Sequence, residues 1–238
     1  MNAPIGRIGG KRLLKKRLVG MFPNDYEKMT YVEPFVGAGH VFYAKNPSDK
    51  EVINDKDSDI ITIHKGLKEF SHDLQGKYKV SKQTFDEWKR KTPKSDKEKF
   101  MKEWILSKFS FARGRNSYDY SIGKNGRIMR DYSQRLKDVV ILNQDYEAVL
   151  RKYDSPNTLF YLDPPYEESK RTAHYAHSTF DINHLKSLLD RIKGKFILTF
   201  NDGKHIRDLF RGYNITAVKV RYEVPTPHTG SEVIITNF

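Results

Sequence analysis

The feature that most constrains this chain is a recurrence of short apolar, β-branched runs with helix-length segments between most of them. The runs are Met29 to Glu33, Glu51 to Asn54, Val139 to Leu142, Thr158 to Leu162, Lys195 to Phe200, Ile215 to Tyr222 and Glu232 to Thr236. The first five are continuously apolar, as parallel strands must be when crossover helices cover both faces of their sheet. The last two runs differ. Ala217, Lys219 and Arg221 alternate with Val218, Val220 and Tyr222, and no helix-length segment separates this run from the final one. The pattern predicts an α/β fold on a seven-stranded sheet that ends in a hairpin.

The stretch between the second and third runs is too long for a single crossover helix and predicts an insertion over 57–138, flanked by a core formed from 1–56 and 139–238. Apolar spacing predicts helices over Ser58 to Phe70 and Ser95 to Ser110, with Ser95 as N-cap ahead of Glu98 in a capping box. Thr92-Pro93-Lys94 breaks the helical pattern between them. Beyond Phe111 the periodicity stops and a basic, aromatic segment follows: Arg113, Arg115, Asn116, Tyr118, Tyr120, Lys124, Arg127 and Arg130, with Asp119 as its acid. Asn125-Gly126 predicts a tight reversal, and so a basic hairpin at about 111–130.

Charge narrows the partners. The chain carries 43 Lys+Arg against 30 Asp+Glu, a formal net charge of +13 over 238 residues, which favours a polyanionic partner. The absence of Cys excludes disulfides, cysteine-rich zinc sites and a thiolate nucleophile, and the His residues show no HExxH spacing, so no metal is expected. No apolar run reaches the roughly 18 to 20 residues of a membrane span. Arg7, Lys11, Arg12, Lys15, Lys16 and Arg17 are not followed by the apolar stretch of a secretory signal, so a soluble, cytoplasmic protein is expected.

Two constellations carry chemistry. Glu33-Pro34-Phe35-Val36-Gly37-Ala38-Gly39 follows the first predicted strand directly, where glycines let the backbone approach a ligand that a Cβ would obstruct. The third glycine of a dinucleotide fingerprint is absent, and a bare structural turn is the competing reading. Asp55, at the end of the second strand, can accept from both hydroxyls of a ribose. The second constellation, Asp163-Pro164-Pro165-Tyr166, follows the fourth strand at the same edge. Its two prolines remove two N–H donors, leaving an acceptor site. An exocyclic nucleobase amine has two N–H bonds for the Asp163 carboxylate and the Pro164 carbonyl to hold, and Tyr166 offers a ring face for stacking.

These parts together resemble the Dam-type, D12-class DNA adenine-N6 methyltransferases. They run in the family's order: Ile8-Gly9-Gly10-Lys11, Tyr31 to Gly39, Asn54-Asp55, a recognition insertion, Asp163 to Tyr166, then Tyr175, Phe180 and a closing strand at Ser231 to Phe238. The resemblance implies a Rossmann-like S-adenosylmethionine-dependent methyltransferase sheet with an inserted, mostly helical target-recognition domain. It further implies that Lys11, Phe35, Gly37, Gly39, Asp55 and Asp163 surround S-adenosyl-L-methionine, with Arg7 at a contacting position where the family typically has an aromatic residue. Asp145 and Tyr146 fall where relatives place groups beside the cofactor adenine.

The implied reaction transfers methyl to adenine N6 in double-stranded DNA, in a short site for which GATC is the first guess; the sequence leaves the oligomeric state open and is compatible with a monomer on DNA. Asp163, Pro164 and Tyr166 would be catalytic, and the target base would be extruded from the helix. Arg113, Arg115, Asn116, Lys124 and Arg127 are the candidate DNA readers, because Arg matches guanine and Asn matches adenine in bidentate geometry. A solvated or phosphate-contacting loop is the alternative for that segment. Lys15, Lys16 and Arg17, on a short predicted helix, are expected to meet phosphate or solvent. A catalytically idle DNA-binding protein and an N4-cytosine enzyme are the competing functions; C5-cytosine chemistry is disfavoured without a Cys nucleophile.

Overall fold

The computed structural model describes residues 1–5, 11–111, 115–165, 180–222 and 228–238. The chain divides into two compact units: one of Met1–Phe22, Val36–Pro47 and Asp55–Asn143, the other of Pro23–Phe35, Ser48–Asn54 and Gln144–Phe238.

The strands of the main sheet are β1 (Thr30–Glu33), β2 (Lys50–Asn54), β5 (Val140–Leu142), β6 (Thr158–Leu162), β7 (Lys195–Asn201), β8 (Asn214–Tyr222) and β9 (His228–Thr236). Their order is β5-β2-β1-β6-β7-β9-β8. Strand β1 runs parallel to β2 and β6, and β6 parallel to β7, with Val32 opposite both Val52 and Phe160, and Phe160 opposite Phe196. Every residue of β6 is buried, as its unbroken Thr-Leu-Phe-Tyr-Leu run demands. Strand β9 is antiparallel to both β7 and β8, so the expected terminal hairpin forms and its second strand inserts beside β7.

This topology creates the geometry that matters for function. Because β1, β2, β6 and β7 are parallel, Glu33, Asn54, Leu162 and Asn201 end at one edge. The chain steps from β1 to β2 on one side and places β6 on the other, so the strand order reverses between β1 and β6. Ligands of open α/β sheets bind outside the carboxyl ends of the strands at such a reversal.

The other unit holds helices α2 (Ser58–Phe70), α3 (Lys82–Arg90), α4 (Asp96–Lys108), α5 (Tyr120–Asn125) and α6 (Ser133–Leu136), a short N-terminal helix α1 (Lys15–Val19), and a ribbon of β3 (Gly76–Tyr78) antiparallel to β4 (Arg127–Met129). The remaining helices, α7 (Tyr146–Tyr153), α8 (Ile182–Leu189) and α9 (Lys204–Leu209), belong to the sheet's unit. Caps set the helix starts: Asp57 accepts from the Asp59 N–H, Ser95 from Glu98, and Asp119 from Ile122. The Glu98 carboxylate accepts from the Lys94 N–H, one residue before the position a capping box uses. Phe85, Phe100, Trp104 and Phe109 fill the core between these helices. Gly66 of α2 faces Phe100 so closely that a Cβ there would lie 2.2 Å from the ring's Cγ.

One local expectation is corrected. Asn125-Gly126 does not turn a hairpin; Asn125 ends α5, and Gly126, at φ 75°, is its C-cap before β4. Both devices need a residue with positive φ, so the dipeptide alone does not separate them. The chain reverses earlier, where Ser110 bridges Tyr118 and the Phe111 N–H donates to the Ser117 carbonyl at 2.7 Å.

Candidate active site and basic segment

The glycine loop is held by two clamps on a single residue. Gly37, at φ 47°, donates its N–H to Asp55 Oδ2 at 2.8 Å. Its carbonyl lies 2.9 Å from His64 Nε2. A carbonyl only accepts, so Nε2 carries the proton, and Nδ1 then accepts from the Tyr43 hydroxyl 3.0 Å away. His64 is fully buried, and burial lowers its pKa to about 4, against a smaller opposing effect of the Gly37 bond. Gly39, at φ 72°, is required twice, since a Cβ would also lie 2.8 Å from the Tyr43 ring. The second oxygen of Asp55 accepts from the Asp57 N–H at 2.9 Å, and Asn143 donates to the Asp55 and Lys56 carbonyls. Asp55 thus stands at the predicted place, half-buried, and also shapes the loop. Lys11 is buried in the same unit.

On the sheet's unit, Asp163 follows β6 and Pro164 is buried behind it. Thr199, inside β7, donates to Asp163 Oδ1 at 3.0 Å, and the Tyr161 hydroxyl lies 3.4 Å from Thr199 Oγ1. Burial first, then the Asp163 carboxylate, push the Tyr161 phenol well above its ordinary range, with Glu33 and Glu232 adding to it. Glu33, buried at the end of β1, accepts from the Tyr31 hydroxyl at 2.7 Å.

Beside it lies a trio of half-buried rings. Phe35 is 5.1 Å from Tyr146 and 5.6 Å from Phe180, and Tyr146 is 5.6 Å from Phe180. Burial raises the Tyr146 phenol to about 12, with Asp145, Glu147 and Asp181 adding to it. Asp145 caps α7 through the Glu147 N–H. Asn54 staples the loops that carry two of these rings: its amide donates to the Pro34 and Gln144 carbonyls, and its Oδ1 accepts from the Gln144 N–H. Thr199 and the stapling role of Asn54 went unrecognised in the sequence. A Thr within an apolar strand reads as an ordinary β-former, whereas an Asn ending a buried strand is an available signal.

In the basic segment, the guanidinium of Arg115 bonds Asp59 Oδ2 at 2.8 Å and also pairs with Glu103. Two carboxylates therefore hold the fork that the sequence reading offers to a base edge. Arg115 also adopts φ 62°, a left-handed conformation costing a side-chain-bearing residue roughly 1–2 kcal/mol. Charge-assisted bonds, at roughly 1.5–3 kcal/mol each, are strong enough to hold it there. Asn116 and Lys124 are exposed, and Arg127 is half-exposed. Phe111, Tyr120 and Ile128 stand among these polar groups as exposed apolar side chains. Arg7, Arg113, Tyr166 and Tyr175 lie outside the described residues. Among the described residues, no cluster of His, Asp and Glu could hold a metal, and no helix is long and apolar enough to cross a membrane.

Comparison with known proteins agrees with this geometry. Residues 8–224 match the family described as D12 class N6 adenine-specific DNA methyltransferase. A relative from Paramecium bursaria Chlorella virus NC1A, the Type II methyltransferase M.CviBI, is 24% identical over 251 residues, covering 96% of this chain and 95% of that protein. A DNA adenine methylase of Haemophilus influenzae is 23% identical, covering 91% and 85%, and the Type II methyltransferase M.MjaIII of Methanocaldococcus jannaschii is 24% identical, covering 88% of each. With a glycine loop after β1, a carboxylate after β2, Asp-Pro-Pro-Tyr after β6 and a family match over nearly its whole length, the chain belongs to the D12 class N6 adenine-specific DNA methyltransferases.

Proposed function

We propose that the chain methylates adenine N6 within a short specific site in double-stranded DNA, taking the methyl from S-adenosylmethionine and acting on a base extruded from the helix. The observation that carries this reading is Asp163 at the end of β6, oriented by Thr199 beside the reversal of strand order. The residues fit the donor. Asp55 supplies a carboxylate for its ribose, Phe35 and Tyr146 supply ring faces for its adenine, Gly37 and Gly39 let the backbone approach it, and Lys11 and Asp163 serve its amino-acid end. When bound, the donor would supply an electrophilic methyl on a sulfonium cation.

Adenine N6 is a poor nucleophile because its lone pair is delocalised into the ring. Asp163 and the Pro164 carbonyl accept its two N–H bonds, which helps the nitrogen pyramidalise and turn its lone pair toward the methyl. A carboxylate offers about four acceptor sites, so the Thr199 bond orients Asp163 without exhausting it. In the transfer the N6–methyl bond would form in line as the sulfonium–methyl bond breaks, leaving the thioether, with one N6 proton released to Asp163 or water and no covalent enzyme intermediate. Extrusion costs a few kcal/mol, and stacking on Tyr166, at roughly 1–3 kcal/mol, offsets part of it. The segment 57–138 acts as the recognition domain, with Arg113, Asn116, Lys124 and Arg127 as its readers, and GATC is the first sequence to try.

The test is expression in a methylation-free host followed by single-molecule sequencing of its DNA, with nucleoside mass spectrometry on the digest. N6-methyladenine in one short motif, absent in an Asp163→Ala strain, is the expected result. Modified cytosine, or no modification from a folded protein that binds donor and DNA, would replace this reading.

A further inference from the structure

Arg115 sits at the centre of a small closed seam. Its guanidinium joins Asp59, in the first turn of α2, to Glu103 on α4, and its own N–H donates to the Ser110 hydroxyl at 3.0 Å. The flanking backbone is tied as well: Ser110 bridges Tyr118, the Asp119 N–H donates to the Phe109 carbonyl at 2.8 Å, and Lys89 donates to the Asn116 carbonyl at 2.8 Å. With its side chain turned inward, Arg115 leaves its neighbour Asn116 facing solvent.

We propose that Asp59, Arg115 and Glu103 form a specificity-determining clamp: three residues that need not touch a base but set the pose in which this segment meets DNA. The proposal rests on the reading of the segment as the DNA reader. Its physical content is that an αL residue is kept in place by two carboxylates from separate helices, so loss of either lets the backbone at 115 relax and rotates the displayed side chains. Arg115 is then a positioning residue.

Charge gives the discriminating sign. If Asp59 and Glu103 act only through their negative charge, neutralising either draws every duplex closer, raising affinity for all sequences alike. A clamp does the reverse to discrimination: removing an acid misplaces the readers and lowers preference for the correct site.

The experiment compares kcat/KM on the motif duplex with kcat/KM on duplexes carrying one changed base pair, for the wild-type chain and for Asp59→Asn, Glu103→Gln and Arg115→Lys. Donor affinity, measured by calorimetry without DNA, serves as the check of folding. The expected result is a selectivity loss of at least fivefold in all three with donor affinity within twofold of wild type. Arg115→Lys combined with Glu103→Gln should lose no more than the worse single change, since they break one device. Unchanged selectivity in the acid variants overturns the clamp. So does a loss confined to Arg115→Lys at a single base pair, which would make Arg115 a direct reader. Asn116→Ala and Arg127→Ala separate the two levels: if they relax the motif while the clamp variants do not, the segment reads DNA and the clamp is wrong. If none of the five variants relaxes it, the reader lies elsewhere and both ideas fall.

Discussion

Thr199 donates its hydroxyl proton to Asp163 across the β6–β7 pair, 3.0 Å from oxygen to oxygen. The bond orients the carboxylate proposed to hold the substrate amine, so Thr199→Val should slow methyl transfer by roughly tenfold or more, the weight of one charge-assisted hydrogen bond in the transition state. Donor affinity should change much less. Single-turnover transfer of labelled methyl at saturating donor and DNA measures this, and an unaltered rate would make Thr199 a packing residue only.

Asp55→Ala removes the partner of the Gly37 and Asp57 N–H groups together with the proposed ribose acceptor. Donor affinity should fall at least tenfold, since a bond to a charged group is worth roughly 1.5 to 3 kcal/mol. Calorimetry reads it directly, and unchanged affinity in a folded variant would take Asp55 out of the donor site.

The buried His64 makes stability depend on pH in a defined window. Its folded pKa, about 4, lies below the ordinary 6.5, so between these values the unfolded chain binds a proton that the folded chain refuses. Stability should be fully present above about pH 6.5 and fall as pH drops toward 4, by about 3 kcal/mol in total. Asp131, held near 2 by Ser133 and His72, acts in a lower window, its contribution being lost as pH falls from about 3.8 toward 2. Denaturant melts across pH 4 to 7 should therefore slope in wild type and flatten in His64→Gln.

Gly66→Ala tests a packing constraint against helix propensity. Ala gains about 1 kcal/mol over Gly within a helix, but its Cβ would sit 2.2 Å from Phe100 Cγ in the α2–α4 contact. Overpacking costs typically 1–3 kcal/mol, so the net should be destabilising. A rise in the urea midpoint would show that the ring moves aside without penalty.

Among the basic residues, Lys15→Ala and Lys16→Ala should weaken binding to all duplexes alike and make the salt dependence shallower by about one each, leaving the motif intact. Arg127→Ala or Asn116→Ala should instead cost roughly 1–3 kcal/mol of discrimination at one base pair. Filter binding across salt concentrations, paired with motif sequencing, distinguishes the two behaviours.

What could be read from the sequence followed the strength of the local signal. The run Thr158 to Leu162 is apolar after its first residue and lies between Pro156-Asn157 and Asp163, so strand and residues coincide with β6. Asp55 and Asp163 follow β2 and β6, where the ends of the two runs predict them. The ribbon of β3 and β4 was invisible: each strand has three residues, mostly outside the core, with no alternation to detect. The partners of Arg115 were not legible, because they lie 56 and 12 residues away in sequence and only folding brings α2, α4 and this segment together.

Helix α2 gathers an unusual number of these constraints in 13 residues. Asp57 caps it, Asp59 grips Arg115, His64 supports Gly37 from below, and Gly66 admits Phe100. The consequence is for mutational tolerance. In a deep library of variants selected for methylation, positions 57, 59, 64 and 66 should be depleted of substitutions for four separate reasons. The solvent-facing Lys65, one position from two of them, should drift freely, giving the helix a banded tolerance profile that its amphipathicity alone does not produce.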